Sequence, residues 1–182
     1  MKIRIIAGQF GGRLIDAPNT SRTHPMGERI RNALFNTIGG EIQGAEVLDA
    51  FAGSGAVGLE ALSRGAKSVT MLEKDRVAAK VIEDNCKLLG VTESAHLIKA
   101  PVSKWLDTTD DTRQYDIIFA DPPYHNQQLS TVSRLFSLLK PNGLMILSYT
   151  GIGGVPIQDE IVVVDNRSYG NAHLTYFRRV VS

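Results

Sequence analysis

Apolar residues along this chain fall into two repeating patterns, short unbroken runs and helical stripes. Val47 and Leu48 make a run that ends at Asp49; after a small-residue turn, Val57, Leu59 and Leu62 follow at helical spacing, so residues 46–62 read as strand, turn and helix. Ser68 to Glu73 is the next strand, Arg76 to Leu89 a helix stopped by Gly90, and Ala95 to Lys99 a further strand. A short amphipathic piece around Trp105 and Leu106 precedes a polar loop, Thr108 to Gln114. Tyr115 to Ala120, YDIIFA, is the β-branched and aromatic run of a buried parallel strand. A helix from Leu129 to Lys140, a turn at Pro141-Asn142-Gly143 and a strand from Leu144 to Tyr149 come next. Ile161 to Val164 and Ala172 to Val181 add two more strands. Alternation of this kind predicts an α/β protein with an open, Rossmann-like sheet.

The first forty residues are patterned differently. Ile3 to Ala7 is strand-like, Gly8, Gly11 and Gly12 mark a turn, and Leu14-Ile15 forms a second apolar piece before Pro18 and Asn19. After Pro25, an amphipathic helix spans Glu28 to Ile38, with Ile30, Leu34 and Ile38 on one side beside Phe35; Arg29, Arg31 and Asn32 fall away from that line. From Lys2 to Arg31 six basic residues, Lys2, Arg4, Arg13, Arg22, Arg29 and Arg31, face two acidic ones, Asp16 and Glu28. Residues 1–43 therefore read as a small basic β-hairpin and helix extension on a body, residues 44–182, that carries the repeating pattern. One reading makes the extension a solvated hairpin with a docking helix. The other makes it a phosphate-contacting arm whose guanidinium groups neutralise a nucleic-acid backbone.

Composition narrows the class. A chain of 182 residues favours one main domain that buries roughly 70% of the unfolded surface. With 43% hydrophobic and 21% charged residues it has the make-up of an ordinary globular protein. The net charge of +1 conceals the basic arm, so only the distribution of charge bears on a polyanionic partner. Cys86, the single cysteine, rules out an internal disulfide framework, fits a reducing compartment and falls on a helix as a packing residue. His96, His125 and His173 are scattered at spacings that suit no zinc site. No apolar run approaches the ~20 residues of a membrane span, and no signal-like segment follows Met1-Lys2. A cytoplasmic location is expected.

Two stretches carry chemistry. Gly53-Ser54-Gly55-Ala56-Val57-Gly58 fits G-x-G-x-x-G, a turn that lets a ligand approach the main chain but that also serves merely to pack a helix on a strand. Glu73, 20 residues past Gly53, sits where a neighbouring strand presents a carboxylate to ribose hydroxyls. Together they predict a nucleotide-type site. The second stretch is Asp121-Pro122-Pro123-Tyr124 at the end of the YDIIFA strand. Two prolines remove two N–H groups, leaving carbonyls and a carboxylate as a wall of acceptors, which suits an exocyclic amine with two hydrogens to place. Tyr124 is positioned to stack on a base drawn out of its helix. Because ligands bind beyond the carboxyl ends of the strands, Asp49, Glu73 and Asp121 are expected to face one cleft.

Asp49-x-Phe51-Ala52-Gly53-Ser54-Gly55 followed by Asp121-Pro122-Pro123-Tyr124 resembles the S-adenosylmethionine-dependent methyltransferases that modify amino groups. Arg4-Ile5-Ile6-Ala7-Gly8, Gly12-Arg13 and Arg29-Ile30-Arg31 leading into Ala33-Leu34-Phe35-Asn36, with Tyr169-Gly170 and Tyr176, are similar to the RsmD family, which methylates N2 of a guanine in 16S rRNA. The resemblance runs nearly end to end. It implies a seven-stranded class I methyltransferase sheet, an S-adenosylmethionine cofactor, no metal, and a monomer acting on 16S rRNA within the small ribosomal subunit or its assembly intermediate. It places Asp49, Phe51, Gly53, Ser54, Gly55, Glu73, Lys74 and Val102 around the cofactor. Asp121, Pro122, Pro123 and Tyr124 would hold the guanine. Arg4, Arg13, Arg22, His24, Arg29 and Arg31 would contact RNA, with His125 a further candidate for a phosphate. The chain departs from the family pattern at His24-Pro25-Met26, where Arg-Pro-Thr is usual, at Asn32 in place of Glu, and at Pro101 in place of an adenine-binding Asp or Asn. Main chain near Val102 then reads the adenine, and weaker cofactor binding is expected. Competing readings are the same chemistry on DNA adenine, DNA cytosine or a protein glutamine, a non-catalytic RNA-binding protein on this scaffold, or a nicotinamide-binding domain.

Overall fold

A computed structural model describes residues 1–19, 25–110, 112–170 and 172–180. Strands β1 (Lys2–Arg4) and β2 (Leu14–Asp16) pair as an antiparallel hairpin, and α1 (Glu28–Ile38) follows. The alternating part then runs β3 (Glu46–Asp49), α2 (Ala56–Ser63), β4 (Ser68–Leu72), α3 (Arg76–Leu89), β5 (Ala95–Ile98), α4 (Val102–Thr108), β6 (Tyr115–Ala120), α5 (Leu129–Leu135), β7 (Leu139–Tyr149), β8 (Ile161–Tyr169) and β9 (Ala172–Arg179). The larger sheet has the order β5-β4-β3-β6-β7-β9-β8, parallel from β5 through β7 and antiparallel at β9 and β8. The expected Rossmann-like sheet is therefore present, and its winding reverses between β3 and β6.

Unbroken apolar runs form the central strands because both faces are covered, so neighbours in sequence bury on opposite sides. Val47, Ile117 and Ile146 join the core beneath α1, α2, α3 and the hairpin, whereas Leu48, Ile118 and Met145 join the core beneath α4 and α5. Helix α3 matches its predicted span because both ends are capped. The Asp75 carboxylate accepts from the Ala78 amide at 2.9 Å, and Gly90 closes the far end in the left-handed region.

Three segments depart from expectation. The helix read as far as Lys140 ends at Leu135, runs through a 3-10 turn at Phe136–Leu138, and gives way to β7 at Leu139, which pairs with Tyr115. Pro141-Asn142-Gly143 is thereby absorbed as an irregularity inside β7, with Asn142 at φ 65. Strand β8 runs on to Tyr169, well past Val164, because β9 offers it a partner along its length. Strand β1 stops at Arg4, and further on the Ile6 and Ala7 amides donate to the Glu60 carboxylate at 2.9 and 3.1 Å.

The hairpin is fastened to the body on both α2 and α3. Gly8, at φ 84, lies so close to α2 that an added Cβ would meet the Ser63 carbonyl at 1.9 Å; only glycine fits. Asn85 of α3 accepts from the Asp16 amide and donates to the carbonyls of Asp16 and Ser54, linking β2 to the glycine turn.

Candidate active site

The carboxyl ends of β3, β4, β6 and β7 open into a cleft of about 1130 Å³. Its walls hold Asp49, Phe51, Gly53 and Ser54 from the β3 end, Glu73 and Lys74 after β4, Pro101 and Val102 at the start of α4, and Asp121, Pro122, Pro123 and Tyr124 after β6. The two motifs read from the sequence thus share one cavity. Gly55 is the exception: it stands behind the wall, at φ 82 as the cap of α2, where a Cβ would lie 3.3 Å from Ile82 Cγ1.

The glycine turn is organised by acids rather than left open. Glu73 Oε1 accepts from the Gly53 amide at 2.9 Å and Oε2 from the Asp75 amide at 2.8 Å, so one carboxylate joins the turn to the start of α3. Asp49 Oδ2 accepts from Gly58 at 3.1 Å, and Ser54 Oγ from Ala56 at 3.2 Å. Two N–H groups at the start of α2 are therefore taken by the chain itself.

Burial disfavours the ionised forms of Asp49, Asp121 and Glu73. Burial pushes Asp49 up to about 7, with the neighbouring Asp121 and Glu73 adding to the rise and the Gly58 amide opposing it. Burial likewise pushes Asp121 up to about 6, against the stabilising effect of Ser148. Glu73 is raised mainly by burial, opposed by the two amides it binds. Tyr124 lines the cleft and is 47% exposed; partial burial pushes its hydroxyl pKa up, opposed by a hydrogen bond with Ser148.

Sequence reasoning missed several lining residues. Met26, Gly27, Ile30 and Leu34 bring α1 and the segment before it over the cleft, and Ile146, Ser148 and Gln128 complete the side near Tyr124. Ser148 had a usable signal, since it lies near the carboxyl end of a predicted strand as Asp49 does.

The basic arm is corrected in one important respect. Arg31, read as an outward-facing RNA contact, is 1% exposed. Its Nη1 and Nη2 donate to the carbonyls of Met26 and Arg4, and its Nε lies 3.5 Å from Glu60 Oε1. Glu60, fully buried, also pairs with Arg64 Nε at 2.8 Å, and Arg64 donates to Asn32 Oδ1. Arg31 does not fall away from the apolar line of its helix as expected: it stands three, four and seven residues before Leu34, Phe35 and Ile38, shares their buried face, and meets the buried Glu60 carboxylate there. Arg13 is exposed, yet it donates to the Leu88 carbonyl at the end of α3 and lies over the Phe10 ring. Arg4 and Arg29 are exposed, and neither they nor Arg13 and Arg31 line the cleft. Arg22 and His24 lie outside the described residues.

A mixed seven-stranded sheet of this order, with a glycine turn after its first strand and Asp-Pro-Pro-Tyr after its fourth, defines a class I methyltransferase fold. A family model described as conserved hypothetical protein 95 matches residues 3–178, and the chain belongs to that family, the RsmD family. Among curated relatives, ribosomal RNA small subunit methyltransferase D of Haemophilus influenzae is 38% identical over 148 residues, 79% of this chain and 77% of its own. The protein of the same name from Escherichia coli strain K12 is 36% identical over 142 residues, 78% of this chain and 69% of its own. The solved structure of Escherichia coli yhhF superposes with a TM-score of 0.87 at 30% identity, covering all of both chains.

Proposed function

We propose that this protein methylates the exocyclic N2 amine of a guanine in 16S rRNA, using S-adenosylmethionine. The observation that carries the reading is the meeting, in one cleft, of carboxylates whose ionised forms burial disfavours with an Asp-Pro-Pro-Tyr wall. Asp49 and Asp121 suit a ligand that brings positive charge, and the volume accommodates a nucleoside cofactor and a base together. Asp49, Phe51, Gly53, Ser54, Glu73, Lys74 and Val102 would hold the cofactor, with Glu73 accepting from ribose hydroxyls on lone pairs its two amides leave free. When bound, S-adenosylmethionine supplies an electrophilic methyl group. The chain's own contribution is placement. Ionised Asp121 and the Pro122 carbonyl accept the two amine hydrogens, the nitrogen pyramidalises, and its lone pair is aimed. Tyr124 stacks on the guanine. Residues 1–43, with Arg4, Arg13 and Arg29 outward, form the RNA-facing extension of the methyltransferase body, residues 44–182.

The test is transfer of labelled methyl from S-adenosylmethionine to small ribosomal subunits lacking the modification, with naked 16S rRNA and DNA in parallel, followed by nucleoside analysis. N2-methylguanosine is the expected product; methyladenine, methylcytosine or labelled protein would move the substrate. Tyr124→Ala should be severe and Tyr124→Phe mild, since stacking needs the ring and not the hydroxyl. Equal damage from both would remove the stacking role.

A further inference from the structure

After β7 the chain leaves the sheet through Thr150-Gly151-Ile152-Gly153-Gly154, and this turn is tied to the loop that carries Tyr124. Gln127 makes the tie. Its Oε1 accepts from the Thr150 amide and hydroxyl at 3.0 and 3.1 Å, and its Nε2 donates to the Ile152 carbonyl at 3.5 Å. Within the turn the Ile152 amide donates to Thr150 Oγ1 at 3.2 Å. Gly151, at φ 85, presses against β9, where an added Cβ would lie 2.4 Å from His173 Nε2. The backbone is thus braced by β9 on one side and by the Tyr124 loop on the other, while the Ile152 side chain projects with the residue 77% exposed. Two residues before Thr150, Ser148 lines the cleft.

A lone exposed aliphatic residue means little by itself. This one is held by a braced turn at the carboxyl end of a strand that lines the cleft, on the side of the wall proposed to receive a base. We propose that Ile152 is a wedge that enters the RNA stack as the guanine is drawn into the cleft, filling the space its ring vacates. The inference rests on the guanine-N2 reading above. Reaching an exocyclic amine requires the base to leave its stack, and an apolar side chain inserted at that step covers the base faces left bare. Tyr124 would stack on the extruded base, and Ile152 would replace that base among its neighbours.

The test is single-turnover methyl transfer to small ribosomal subunits lacking the modification, for the unaltered protein, Ile152→Ala and Ile152→Leu, with S-adenosylhomocysteine affinity measured by calorimetry for each. Ile152→Ala should be slower by about tenfold or more, a change the size of one weak base-stacking interaction, with cofactor affinity held within about twofold; Ile152→Leu should stay within about threefold of the unaltered rate. An Ile152→Ala rate equal to that of the active unaltered protein would overturn the wedge and leave the guanine reading standing. A slower rate matched by an equal drop in S-adenosylhomocysteine affinity would also overturn it, making the turn a support of the cleft. An unaltered protein that methylates no guanine on the subunits would remove both readings together.

Discussion

Asp49 and Glu60 are two buried carboxylates of the same strand-turn-helix unit, and the chain treats them in opposite ways. Glu60, at the junction of α2 with the N-terminal arm, receives two arginines and two backbone amides. Asp49, on the cleft floor, receives the Gly58 amide, and the nearby Asp121 disfavours its ionised form further. A buried charge that the chain neutralises fastens two parts of a fold. One given a single amide is held toward its neutral form, the state in which a carboxylate kept for a ligand of opposite charge would wait.

The comparison breaks or holds under substitution. The largest effect belongs to the cleft: Asp121→Ala should lower methyl transfer by about a thousandfold while leaving S-adenosylhomocysteine affinity within a few-fold, as measured by single-turnover rate and calorimetry. Next is the junction. Glu60→Ala strands Arg31 in the interior and should cost about 3–5 kcal/mol in urea unfolding, whereas Asp49→Asn should leave the ligand-free protein as stable or more so at pH 8 and weaken cofactor binding. Equal drops in stability in the two variants would erase the distinction.

The third effect is a pH dependence. Since the folded pKa of Asp49, about 7, stands above its ordinary value of 3.8, its contribution to stability is fully present below about pH 3.8 and disappears as pH rises through about 7. Relative to Asp49→Asn, the ligand-free protein should lose on the order of 4 kcal/mol between pH 4 and pH 8, and a difference flat across that range would contradict the raised pKa. The smallest effect separates the arginines. Arg29→Glu should flatten the salt dependence of RNA binding by about one phosphate contact without changing the melting temperature, while Arg31→Glu should lower the melting temperature. An Arg31→Glu protein that melts normally and binds RNA with a reduced slope would return Arg31 to the RNA surface.

Much of the frame was legible beforehand. Helices α1 and α3 and strand β6 have the spans their periodicity predicts, and Asp49, Glu73 and Asp121 share a cleft because each stands at or just past the carboxyl end of a parallel strand. Other features left no local trace. Nothing near Ile6 announces that its amide will go to a carboxylate on α2, and nothing near Met26 places it on the cleft wall. Leu139 reads as helix until β6 supplies a partner strand.

The sequence alone determined the alternation of strands and helices, the glycine turn and the acceptor wall, because each rests on residues near one another in the chain. Tertiary structure alone decided which charges are neutralised, with Arg31 and Glu60 paired and Asp49 and Asp121 left to face each other. Compensation of a buried charge depends on groups brought together from distant segments, and neither periodicity nor composition carries that information.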